Sequence, residues 1–62
     1  MSPEERERLV EIIASKLHDD VWAFPWKAMK EDFRAVRRRR VADALAAAEA
    51  AGFVILAPGD GR

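Results

Sequence analysis

The 62 residues carry eleven Lys and Arg against eleven Asp and Glu, for a formal net charge of zero, and no cysteine. A chain of this length makes one domain at most and buries only about 60% of the surface its unfolded form exposes. Without cysteine there is neither a disulfide framework nor a thiolate metal site, so idealised helix packing or oligomerisation is left to supply the missing stability.

The first element is "SPEERERLVEIIASKLHDD". Ser2 suits the N-cap, Pro3 the first helical position, and Glu5 completes a capping box three residues on. Acids crowd the first turn, where the helix dipole favours them. Leu9, Val10, Ile12, Ile13 and Leu17 form an apolar face opposite Glu7, Arg8, Glu11, Ser15 and Lys16. The pattern predicts a helix over residues 3–18.

Residues 19–25 read as a connector. Asp19 and Asp20 are unfavourable at a helix C-terminus, and Pro25 pushes Phe24 out of the helical region. Trp22, Phe24 and Trp26 alternate, as in an extended piece that drops rings into a core.

From residue 26 to 51 the composition is strongly helical. Trp26, Met29, Phe33, Val36, Val41, Ala44, Leu45 and Ala48 share one broad face at about 100° per residue. Arg37 and Arg40 fall inside it, and a buried unpaired charge is expensive. Either the helix breaks near residues 30–34 and its second part rotates, or Arg37 and Arg40 meet acids at a contact surface.

Gly52 fits the left-handed position after this helix, with Phe53 folding back as the apolar contact of a Schellman-type cap. "FVIL" is apolar and β-prone, and "PGDG" is a turn signal. No return strand follows in the sequence, so residues 53–56 are expected to pack as an extended tail or to pair with another chain. Residues 1–57 are read as one small helical domain and 58–62 as a flexible tail.

The zero net charge hides a pattern. Residues 1–20 have a local net of −3, residues 21–40 of +5, and residues 41–62 of −2. The basic middle fits an acidic partner, or the chain's own acidic ends neutralise it. The longest apolar stretch, "ALAAAEAAGFVIL", is too short and too polar to span a bilayer. The charged N-terminus is unlike a signal peptide, so a cytoplasmic location is expected.

Chemistry-bearing residues are few, since Thr, Tyr, Asn and Gln are also missing. Ser15, His18 and Asp19 lie on one helix turn, but a nucleophile needs a base aimed at it and an oxyanion pocket. "HDD" at 18–20 offers one imidazole and two carboxylates, a thin metal set beside its reading as a solvated helix end. No catalytic, cofactor or metal residue is assigned, and no enzyme is expected.

The arginine run Arg37–Arg40 has three readings. It contacts nucleic acid through phosphate or guanine. It meets an acidic protein surface. Or it is a solvated helix, with Arg39 and Arg40 reaching Asp43. Arg34, Arg37, Arg38 and Arg40 are the candidate partner- or nucleic-acid-binding residues, with Arg37 and Arg40 weighted above Arg38 and Arg39. Trp22, Phe53 and Ile55 are candidate interface residues. Trp26 and Phe33 are expected in the core.

"PWKAMKEDFRAVRRRRVADALAAAEAAGFVI" resembles small uncharacterised helical proteins of phages and GC-rich bacteria. The likeness rests on Trp26, Met29, Arg34, Ala42, Asp43, Ala44, Leu45, Gly52 and Phe53, and it implies no activity. "RRRRVADALAAAEAAGFVIL" is similar to the recognition helix and first wing strand of a winged helix-turn-helix domain. That likeness implies DNA contact near Arg37–Arg40, with "APGDG" as the wing tip.

The resulting expectation is an all-α domain of two or three helices, a helical hairpin or small bundle, with a short extended C-terminal tail. It is a homo-oligomer, most simply a dimer, acting as a phage-type accessory or regulatory module by protein–protein binding. The alternative is a small DNA-binding regulator.

Overall fold

The computed structural model describes residues 1–56 and shows an all-α helical hairpin. Helix α1 spans Pro3–Val21, a 3-10 turn spans Trp26–Ala28, and helix α2 spans Glu31–Ala50. No strand occurs among the described residues. The segment expected to be a flexible tail, 58–62, lies outside them.

α1 begins as its sequence dictates. The Glu5 amide donates to Ser2 Oγ at 3.2 Å, and the Ser2 amide donates to Glu5 Oε1 at 3.1 Å. Two of the amides that a helix start leaves without partners are thereby satisfied. At its other end α1 runs three residues beyond the predicted 18, to Val21. Asp19 and Asp20 do not break it, because each has a partner. Lys16 Nζ bridges to Asp20 at 2.8 Å, one turn on, and Asp19 Oδ1 accepts the Trp26 amide at 2.9 Å. Asp19 thus anchors the start of the following turn.

The chain then leaves the helix at Trp22 (φ −107°, ψ 145°), and Pro25 opens the 3-10 turn. Met29 and Lys30 are both extended, so the stretch 26–51 is not one helix. α2 restarts at Glu31 with acids in its first turn, where the dipole favours them. The interruption uncouples Trp26 from the wheel of α2. The inward side of α2 is consequently carried by half-buried Arg34, Arg38, Val41, Ala42, Leu45 and Ala48, and Arg40 is exposed. Arg38, rather than Arg37 or Arg40, is the arginine that meets α1.

α2 ends in a Schellman motif. The Phe53 amide donates to Ala48 O at 3.1 Å and the Gly52 amide to Glu49 O at 3.0 Å. Gly52 holds φ +101°, a conformation a side chain disfavours. Phe53, expected to fold back as the apolar contact of this cap, is instead 70% exposed.

The core is small. Val10, Ala14 and Trp26 are its buried apolar residues, with His18 buried beside them. α1 therefore turns Val10, Ala14 and His18 inward. Of the expected apolar face, Val10 is core, Leu9 and Ile13 are half-buried beside the contact, and Ile12 and Leu17 are exposed. Trp26 is core as expected, at 5% exposure, while Phe33 is half-buried.

Candidate functional site: an ion-paired seam and an exposed apolar rim

One polar seam ties the hairpin together. Glu11 Oε1 accepts the Trp26 indole N–H at 2.7 Å, and Glu11 Oε2 accepts from Arg38 Nη1 at 3.3 Å. The second Arg38 nitrogen pairs with Glu31, whose other oxygen takes Arg34 Nη2 at 3.0 Å. A single chain of contacts thus runs from the 3-10 turn through α1 into the first turns of α2. At the open end Arg6 clasps Glu49 with both guanidinium nitrogens. The hydrogen bond from Arg38 holds the Glu31 carboxyl below its ordinary range, and the same bond raises the Arg38 guanidinium.

His18 is the hub where α1, the connector and α2 meet. Its ring stacks on Trp22 (6.1 Å between centroids, 13°) and meets Trp26 and Phe33 edge-on, each at 5.6 Å. Nε2 lies 2.8 Å from Phe24 O. A carbonyl only accepts, so Nε2 carries the proton and donates. Nδ1 is buried without a hydrogen-bond partner.

These contacts occupy the residues singled out for chemistry. Ser15 Oγ donates to Ile12 O at 3.0 Å rather than engaging His18. His18, Asp19 and Asp20 each serve a different structural partner. No group of three or more His, Asp or Glu side chains among the described residues is arranged to hold a metal ion.

The candidate binding residues divide. Arg34 and Arg38 belong to the seam, and Arg34 Nε is buried without a partner. Arg37 places its guanidinium 5.1 Å from the centroid of the Phe33 ring. Arg40 is exposed, and no ion pair links Arg39 or Arg40 to Asp43 among the described residues. Trp22 and Phe53 are exposed at opposite ends of the hairpin, and Ile55 is half-buried. Sequence reasoning missed Glu11, Glu31 and the Arg6–Glu49 clasp. Glu31–Arg34 has the i,i+3 spacing that signals a helix pair, whereas Glu11 and Arg38 are joined only by the hairpin turn.

Around the small core lies an apolar rim. Val21, Trp22 and Phe24 are exposed at the connector end, and Phe53, Val54 and Leu56 follow the open end. Ile12, Leu17 and Val36 are exposed on the helices between. No helix is long and apolar enough to cross a membrane among the described residues.

No family model, curated protein or solved structure matches the chain.

Proposed function

We propose that the chain is a non-enzymatic interaction module, an accessory or regulatory protein that works by binding protein, with self-association as its first mode. The observation that carries this reading is the apolar rim. Among the described residues, nine large apolar side chains beyond the N-terminal methionine stand more than half exposed around a core of three buried apolar residues. Apolar exposure on this scale beside so small a core supports an interaction surface, and Trp and Arg are the usual anchors of such surfaces. Trp22 and Phe24 at one end and Phe53 at the other have that character. The cysteine-free composition supports a cytoplasmic setting for the module.

The second reading is a small DNA-binding regulator. It is favoured by Arg39 and Arg40, adjacent on α2, exposed and outside the ion-paired seam. On this reading phosphate contacts dominate and binding falls steeply with salt.

Light scattering with and without duplex DNA, at two salt concentrations, separates the two. The first reading expects a dimer or larger without DNA and no salt-sensitive DNA complex. A monomer that forms a salt-sensitive DNA complex transfers the function to the second.

A further inference from the structure

We infer that the occupant of the apolar rim is a second copy of the chain, packed antiparallel about a two-fold axis, so that the connector end of each hairpin meets the tail end of the other. The inference rests on the interaction-module reading and gives it a partner and an orientation.

Two independent features of the surface select this arrangement. The first is apolar. Exposed large side chains gather at the two ends of the hairpin: Val21, Trp22 and Phe24 at the connector, and Phe53, Val54 and Leu56 after α2. The Arg6–Glu49 clasp and the Glu11–Arg38 pair fix these as opposite ends of one antiparallel pair of helices. Reversing a second copy brings each exposed cluster onto the other, and the two-fold axis makes that contact twice. Such an interface is isologous: if one cluster touches the other, the reverse contact follows by symmetry, and the assembly closes as a dimer.

The second feature is charge. The seam sets residue 11 beside residue 38 and residue 6 beside residue 49, so the midpoint of the hairpin falls near residues 12 and 40. The open half, residues 1–12 and 41–52, holds six acids and two arginines, a net side-chain charge of −4. The connector half, residues 13–40, holds eight Lys and Arg and four acids, a net of +4. A net charge of zero over the chain is therefore a strong separation of charge along the hairpin. Two copies side by side in the same direction set +4 beside +4 and −4 beside −4. Reversed, each half faces its opposite, which steers association and rejects the wrong orientation. An unrelated partner has no reason to match both the apolar ends and this polarity, whereas a second copy matches both by construction.

Directed disulfide trapping tests the arrangement, because the chain has no cysteine of its own. Ala23 is exposed at the connector and Val54 is exposed beyond α2. The Ala23→Cys and Val54→Cys chains are mixed and gently oxidised at a concentration where light scattering reports the association state. The expected dominant product is the mixed disulfide, which joins position 23 of one chain to position 54 of the other. Predominant like-to-like products, each variant bridged to a second copy of itself, mean parallel packing and overturn the inference, leaving the interaction-module reading intact. A dimer with no disulfide overturns it in the same way. A monomer with no disulfide at any concentration tested overturns both.

Discussion

Glu11 of α1 and Arg38 of α2 stand 27 residues apart in sequence and 3.3 Å apart in the fold, and the same carboxylate holds the indole of Trp26. One side chain thus joins all three helical elements. Its two bonds are unequal. The indole bond is short and secures a ring that is 5% exposed, whereas the guanidinium bond is longer and lies where about a third of the Arg38 side chain remains in solvent.

Removing Glu11 is therefore expected to cost more than removing Arg38. Glu11→Ala strands the buried indole N–H, a loss of about 1–3 kcal/mol. Arg38→Ala breaks partly exposed ion pairs, a loss of about 1 kcal/mol or less. Urea unfolding of the two variants checks the order, and equal midpoints contradict the hub role of Glu11.

The four arginines of the run should separate by their positions. Arg38→Ala weakens the hairpin as above, and Arg37→Ala loses a contact with the Phe33 ring that contributes about 0.5–1 kcal/mol. Arg39→Ala and Arg40→Ala should leave stability within about 0.5 kcal/mol of the parent, as surface substitutions usually do. If the DNA reading holds, those same two variants lose DNA affinity and flatten its salt dependence. Thermal melts and a salt-titrated DNA-binding assay on the four single variants read both effects.

Trp26 and Trp22 should behave oppositely. Trp26→Ala empties the core and costs about 3–5 kcal/mol, which in a domain this small is expected to abolish folding. Trp22 is half-exposed on the His18 ring, so Trp22→Ala should keep the helical fold and weaken association, lowering the unfolding midpoint only as far as association supports it. Circular dichroism beside light scattering distinguishes them, and a Trp22→Ala variant that associates like the parent removes Trp22 from the interface.

The start of α1 and the end of α2 were legible in the sequence because their signals are local. Ser2, Pro3 and Glu5 specify the capping box, and Gly52 the left-handed turn after α2. Arg38 was not legible, because its inward position depends on the two extended residues, Met29 and Lys30, that re-phase α2. α1 outran its predicted end because Asp19 acts through Trp26, a contact that exists only once the connector has turned back. The buried imidazole of His18 was hidden for a related reason: Trp22 and Trp26 lie near it in sequence, but Phe33, the third ring against it, comes from α2. Phe53 had the right spacing for a cap contact, yet its cap is complete through backbone bonds alone.

Acid should loosen the hairpin through two carboxyls. The hydrogen bond from Arg38 depresses Glu31, and the Ser2 amide depresses Glu5, each below the ordinary value of 4.5. A carboxyl that is more acidic folded than unfolded stabilises the fold while it is ionised in both states. That contribution is present above the unfolded value and is lost as pH falls through the folded one. Stability should hold from neutral pH to about pH 5 and decline below it. Glu31→Gln should make the decline shallower, and an unchanged slope contradicts the assignment.

If the hairpin completes its fold against a second copy, its stability must depend on concentration, because a fold that rests on association melts at lower temperature as it is diluted. The decisive measurement is the melting temperature across about a 100-fold dilution, with the mass followed by sedimentation equilibrium. A melting temperature that falls on dilution, with a mass of twice 7.0 kDa at the concentrated end, is expected. A concentration-independent melting temperature, with a folded 7.0 kDa species throughout, contradicts completion by a second copy.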